Sequence, residues 1–287
     1  MAERVTVACI QVSAGPEVAP NIRATSTLVR RARDAGAEFI LTPEVTLMLE
    51  PRREAKFAKA EDEAAPHGIA AFQDLARETG AWLLAGSLVV RVPGEDRLAN
   101  RSYLFDPMGR ITARYDKIHM FDVDLAGGES YRESSQFRPG ETAVLAETPW
   151  GRLGMTICYD LRFPSLYRAL AQAGAAMLSI PSAFAVPTGE AHWHTLLRAR
   201  AIETGCFVLA PAQTGTHEGG RRTYGHSLIV DPWGVVLADG GEDVGFVTAD
   251  LDLARIGEAR RAVPSLRHDR AWQGPAEPGT IRPADSP

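Results

Sequence analysis

The chain has 287 residues, 45% of them hydrophobic and 23% charged, with a formal net charge of −5; this is the make-up of a folded globular protein, not a disordered one. The acidic balance and the scattering of the arginine pairs (Arg30–Arg31, Arg52–Arg53, Arg221–Arg222, Arg260–Arg261) leave no broad basic surface for nucleic acid, and those pairs read as solvated faces. No run approaches the roughly 18 apolar residues of a membrane span, the N-terminus lacks a secretory pattern, and three widely spaced cysteines form neither a CxxC motif nor a disulfide framework, so a reducing, cytoplasmic setting is expected.

In chain order, the β-branched run Val5 to Val12 reads as a strand, and Asn21 to Ala35 as an amphipathic helix closed by Gly36. Phe39 to Thr42 is a buried strand ended by Pro43, with Glu44 just beyond it. A carboxylate past the carboxyl end of a strand is where open α/β sheets place ligand-facing groups, although an exposed loop glutamate fits equally. The charged stretch 50–66 reads as a surface loop or short helix. His67 to Thr79 follows as a helix, Trp82 to Ser87 as a strand, and Ser102 to Asp106 with Ile111 to Tyr115 as a hairpin around the turn residues Pro107, Met108 and Gly109.

The second half repeats this order. AGAEFILTP at 35–43 returns as AGAAMLSIP at 173–181, ETGAWLLA at 78–85 as ETGCFVLA at 203–210, and SYLFDPMG at 102–109 as SLIVDPWG at 227–234. The last two pairs share one displacement. Two pseudo-equivalent halves are implied, each strand–helix–strand–helix–strand–hairpin, joined near residues 120–142. Two repeats are too few for a solenoid, so each half should bury a sheet face against the other with its helices outside. The expected fold is α/β, an αββα two-sheet sandwich forming one domain over 4–263, followed by an irregular Pro- and Gly-rich tail over 264–287 suited to packing against a partner or to disorder.

The stretch 152–168, RLGMTICYDLRFPSLYR, brings a strand to Cys158 and then, through Asp160 and Pro164, into a helical segment. A thiol in such a turn meets unpaired backbone N–H groups that favour thiolate and can bind an oxyanion. A buried core cysteine is the alternative there, and the favoured reading for Cys9 and Cys206, which lie inside apolar runs. Lys117 follows the first hairpin and, taken alone, would be a surface charge.

Taken together, LTPE at 41–44, YDKIHMFDVD at 115–124 and GMTICYDLRFP at 154–164 resemble the nitrilase, or carbon–nitrogen hydrolase, superfamily. SYRES at 130–134, LLRARAIETG at 196–205 and TYGHSLIVDPWG at 223–234 are similar to its Nit branch of omega-amidases and deaminated-glutathione amidases. The resemblance covers about residues 4–270. It implies a cofactor-independent amidase with a Glu–Lys–Cys triad falling on Glu44, Lys117 and Cys158, and a second glutamate on Glu133, or failing that Glu129. By the same resemblance, Glu44 is the base, Lys117 and the backbone N–H of Tyr159 receive the oxyanion, and a thioester forms on Cys158 before water releases it. Arg162 matches the position at which carbamoylase relatives hold a substrate carboxylate, or else it braces its own turn against Asp160 or another acidic neighbour.

The implied substrate is a small carboxylate-bearing amide, with an N-carbamoyl amidohydrolase or a catalytically silent scaffold of the same fold as alternatives. A papain-like enzyme would need His119, His192 or His226 beside Cys158. No metal is expected, because neither HExxH nor a Cys/His cluster is present, though His192 and His194 are close in sequence. His194 stands where Nit relatives often have Glu, which leaves its role open. No nucleic acid or membrane partner is expected, and a homodimer or higher homo-oligomer is, with Phe163 to Ala173 near its interface and the tail crossing to the partner.

Overall fold

The computed structural model describes residues 3–125, 130–272 and 274. Two six-stranded sheets carry the same succession of strands. In the first, Gly245–Asp252 lies antiparallel to Arg4–Gln11, which is followed by Phe39–Leu41, Trp82–Arg91, Leu98–Phe105 and Ile111–Asp116. In the second, Val144–Thr148 lies antiparallel to Gly151–Met155, followed by Ala175–Ser179, Phe207–Ala210, Leu228–Val230 and Val236–Asp239. The three strands at the centre of each sheet are parallel, and the last two are antiparallel.

Alternation within single strands makes these sheets a sandwich. Val5, Val7 and Cys9 join the core between the sheets, whereas Ala8 and Ile10 pack beneath helices Val18–Asp34 and Gly68–Thr79. Helices Pro164–Gln172 and Val186–Thr204 cover the second sheet. The αββα architecture expected from the repeated segments is thus present.

The repeats also match in detail. Helices Gly68–Thr79 and Val186–Thr204 both end in ETG, and the two glycines, Gly80 and Gly205, take the left-handed conformation at φ 62° and 59° that lets a helix terminate without a Cβ clash. Asp106 and Asp231 each accept the amides two and four residues on, in the DPMG and DPWG turns.

Two features differ from expectation. Strand Trp82–Arg91 runs past Ser87, because a bulge between Ala85 and Leu88 absorbs the Gly86–Ser87 interruption and lets Leu88–Arg91 pair with Leu98–Arg101. The edge strand of the first sheet comes from the second half, as Gly245–Asp252 returns to pair with Arg4–Gln11 along its whole length. The described start of the tail docks on its own chain: Arg168 donates to the carbonyl of Ser265 at 3.0 Å and pairs with Asp269.

Candidate active site

Glu44 stands where the sequence suggests, beyond strand Phe39–Leu41, in a segment laced to strand Trp82–Arg91. The amide of Thr42 donates to Leu84 O at 2.9 Å, that of Val45 to Ser87 Oγ at 2.8 Å, and that of Thr46 to Ser87 O at 3.1 Å. Gly86 is required by this contact, since a Cβ there would lie 1.8 Å from the carbonyl of Thr42. Gln213, from the second half, donates to the Glu44 carbonyl at 3.0 Å.

Cys158 opens a short 3-10 turn, Cys158–Arg162, after strand Gly151–Met155, with Pro164 starting the next helix. Its φ of 50° is unusual for a residue bearing a side chain. The Cys158 amide is spent on Pro181 O at 2.9 Å, whereas the N–H of Tyr159, in the first turn, has no intrahelical acceptor. Asp160, fully buried, ties this turn to the Lys117 segment. It accepts the Ile157 amide at 2.9 Å, the Tyr115 hydroxyl at 2.7 Å and the His119 amide at 3.0 Å.

The two halves therefore converge. Lys117 Nζ donates to Glu44 Oε1 at 2.8 Å and to both oxygens of Glu133 at 2.9 and 2.8 Å. Asn100 Nδ2 bridges the same carboxylates at 2.9 and 3.3 Å, and the Phe121 amide donates to Glu133 Oε2 at 2.6 Å. Cys158 lines the same cavity, where its thiol feels the charges of both Glu44 and Lys117. Glu44, Lys117 and Cys158 are 5%, 2% and 7% exposed. Glu129 lies outside the described residues.

Burial governs the proton positions. It pushes the Cys158 thiol up, the Glu44 carboxylate pushes it further, and Lys117 only partly offsets them. The expected preference for thiolate is thus reversed, and the proton stays on sulfur until a base takes it. Burial also raises Glu44, but the charge and hydrogen bond of Lys117, the thiol and the charge of Arg221 outweigh it, leaving Glu44 below its ordinary value and ionised. For Lys117 the desolvation cost is overcome by Glu133, Glu44 and Cys158, which hold it well above the usual lysine range. The arrangement is a protonated thiol beside an ionised carboxylate and a fixed ammonium.

These groups line a cavity of about 410 Å³ together with Lys56, Asn100, Tyr131, Tyr159 and Arg221. Arg162 is not among its lining residues. Its guanidinium lies over the rings of Tyr159 and Phe184 at 5.9 and 5.4 Å and its Nη1 is 3.3 Å from His192, while Asp160 is occupied elsewhere. Arg221, which the sequence alone puts with Arg222 on a solvated face, instead donates to Ala183 O at 2.7 Å, lies 5.5 Å from the centre of the Tyr131 ring and has a buried Nε without a partner. Lys56 is held by Gln136 at 2.8 Å, and its ammonium is pushed down by burial and by Arg221. Neither cation forms a salt bridge among the described residues. The sequence signal for Asn100 was a lone amide in a buried strand, LANRSYLF; for Arg221 and Lys56 there was none.

Cys9 and Cys206 are wholly buried in strand environments, and His119, His192 and His226 bind Asp160, Arg162 and Asp239, away from the cavity lining. No helix among the described residues is long and apolar enough to cross a membrane.

A family model described as "Carbon-nitrogen hydrolase" matches residues 6–261. The chain belongs to the carbon-nitrogen hydrolase family. It is 40% identical over 270 residues to the deaminated glutathione amidase of Yersinia enterocolitica, covering 92% of each chain. Among solved structures it resembles Nit3 of Saccharomyces cerevisiae, a member of branch 10 of the nitrilase superfamily, with a TM-score of 0.83 at 28% identity over 92% of this chain and 96% of that one. The NitFhit protein of Caenorhabditis elegans gives a TM-score of 0.87 at 36% identity over 94% of this chain, which spans 66% of the worm protein's length. As a family member in this Nit-like group, the chain is a hydrolase of non-peptide carbon–nitrogen bonds.

Proposed function

We propose that the chain hydrolyses the amide of a small carboxylate-bearing substrate, with Cys158 as nucleophile and Glu44 as proton carrier. The observation that carries this reading is the convergence of Glu44, Lys117, Glu133 and Cys158 on one cavity that also holds the cations Arg221 and Lys56. Glu44 takes the thiol proton as sulfur attacks the amide carbon. The negative charge that develops on oxygen is received by Lys117 Nζ and the Tyr159 N–H, and removing one such donor typically costs about 10²–10³ in rate. Glu44 then hands its proton to the departing ammonia or amine, leaving a thioester on Cys158. Water, deprotonated by Glu44, attacks the thioester and releases the acid and the thiol.

Glu133 positions Lys117 by two hydrogen bonds and keeps it charged, and Asn100 fixes both carboxylates. Arg221 offers a planar fork of donors suited to a carboxylate at the other end of the substrate. The name carried by the bacterial relative points to deaminated glutathione as the first substrate to try, and the Nit-branch motifs add omega-amides of 2-oxo acids as the next.

A homodimer in the cytoplasm belongs to this reading. Ala171 and Gln172, from the segment expected at an interface, line a groove with the exposed Ile202, Trp233 and Val263, and all three cysteines are free. Product release from a panel of carboxylated and uncharged amides tests the function. Turnover that a thiol alkylator abolishes and a chelator spares supports it, and turnover by a Cys158→Ala chain overturns it.

A further inference from the structure

Three side chains unused by the amide chemistry meet beside the second sheet. His194 projects from helix Val186–Thr204, Asp239 ends strand Val236–Asp239, and His226 precedes strand Leu228–Val230. His194 Nε2 is 3.0 Å from Asp239 Oδ2, and His226 Nδ1 is 2.9 Å from Asp239 Oδ1. One ligand atom from each residue lies within 4.8 Å of the others. None of the three lines the amide cavity. We propose that His194, His226 and Asp239 form a binding site for a divalent transition-metal ion of the zinc type.

The donor set favours that class. Two imidazoles and one carboxylate suit zinc, cobalt or nickel, whereas magnesium and calcium prefer oxygen throughout. Bonds of about 2.0–2.2 Å around a tetrahedral ion put its ligands about 3.3 Å apart. His194 and His226 stand near that distance from different oxygens of the same carboxylate, so closing the site requires that three ligand atoms already within 4.8 Å of one another draw together. The side chains of His194, His226 and Asp239 are 34%, 21% and 35% exposed, which leaves His194 room to turn and an open position for water.

The surroundings hold the donors ready. His226 has a φ of 54°, a conformation that a side-chain-bearing residue keeps only when its neighbours enforce it. Its amide donates to Gly241 O at 2.6 Å, its carbonyl accepts the Trp193 indole at 2.8 Å, and its ring stacks on Tyr224 at 4.5 Å between centroids. The Gly241 amide donates to Asp239 Oδ1 at 2.9 Å, orienting the carboxylate from behind. Glu190, one helical turn before His194, brings a further carboxylate to the same helix face. Sequence spacing hid the cluster because its three members come from three elements.

Zinc and cobalt(II) added to the full chain carrying Cys158→Ser test the site free of the competing thiol. The expected result is one saturable equivalent bound at low micromolar concentration. Cobalt should give visible bands of nitrogen and oxygen ligation without a thiolate charge-transfer band, and zinc should raise the melting temperature. His194→Ala and Asp239→Asn should each weaken zinc binding at least tenfold and abolish the thermal shift. His194→Gln, which retains a polar side chain, covers the case in which the alanine variant does not fold. Absence of saturable binding, or binding unchanged in the folded His194 and Asp239 variants, overturns the proposal and leaves a hydrogen-bonded His–Asp–His cluster.

Discussion

The Nζ of Lys117 lies 2.8 Å from Oε1 of Glu44, and both side chains are buried. The pair joins a loop of the first sheet's centre to the segment leaving its last strand. Lys117→Ala leaves Glu44 and Glu133 facing each other without a cation, and breaking a buried pair from one side typically costs about 3–5 kcal/mol. Stability and kcat should therefore fall together. Adding Glu44→Gln to Lys117→Ala removes one of the orphaned charges and should recover part of the lost melting temperature without recovering turnover. If the two substitutions lower stability additively, the groups are not coupled.

The cysteines separate function from packing. Cys158→Ser should keep a melting temperature near that of the parent and lose turnover, because a hydroxyl is far less acidic than a thiol already pushed up by burial. Cys9→Ser and Cys206→Ser bury a hydroxyl in wholly buried positions and should lower the melting temperature while the folded fraction keeps its kcat. Measured turnover by Cys158→Ser would remove the nucleophile assignment.

Asn100 tests whether the site depends on a neutral bridge between its carboxylates. Asn100→Asp replaces the donor that reaches Glu44 at 2.9 Å and Glu133 at 3.3 Å with a third negative group. The charge should raise the pKa of Glu44, so the acid limb of kcat/KM should move to higher pH. An unmoved limb, with lower kcat at every pH, would mean that Asn100 only shapes the cavity.

Glu50 should govern part of the acid stability. Hydrogen bonds from Arg52 and then Lys59 hold its carboxyl down at about 2, against an ordinary 4.5, and its side chain is fully buried. A depressed carboxylate stabilises the fold fully above its unfolded value, and that contribution is lost as pH falls through the folded one. The stability gap between the parent and Glu50→Gln should thus be constant above pH 4.5 and narrow from there towards pH 2. Denaturant titrations across that range check it, and a gap independent of pH would show that the ion pairs contribute nothing.

What the sequence made legible was local or repeated. The paired AGA, ETG and DP segments disclosed two equivalent halves because each is a short-range device, a helix stop or a turn, whose residues act on their own neighbours. Glu44, Lys117 and Cys158 were legible through motifs. The return of Gly245–Asp252 to the first sheet was not, since its partner Arg4–Gln11 is near the other end of the chain and nothing local specifies the register. Arg221 was misread for a related reason. Its neighbour Arg222 is exposed, and only the fold of Arg222–Tyr224 against Thr214–Thr216 turns one arginine inward beside Ala183 and Tyr131.

Arg221 and Arg162 offer opposed accounts of substrate preference, and lysine substitutions separate them. Arg221 lines the cavity, has a buried Nε without a partner and forms no salt bridge among the described residues. Arg162, itself not a lining residue, lies over the rings of Tyr159 and Phe184. Arg221→Lys preserves the positive charge that helps keep Glu44 ionised but loses the planar fork. Hydrogen bonds to charged groups are worth about 1.5–3 kcal/mol, so KM for a carboxylated amide should rise about 10- to 100-fold. An uncharged amide of equal length should keep both its KM and its kcat. Arg162→Lys should affect the two substrates alike, through the packing of Tyr159 and Phe184. Steady-state kinetics of both variants on both amides decides the matter: a selective KM increase in Arg162→Lys alone would move the carboxylate to that residue, and equal losses in Arg221→Lys would remove carboxylate recognition from the cavity.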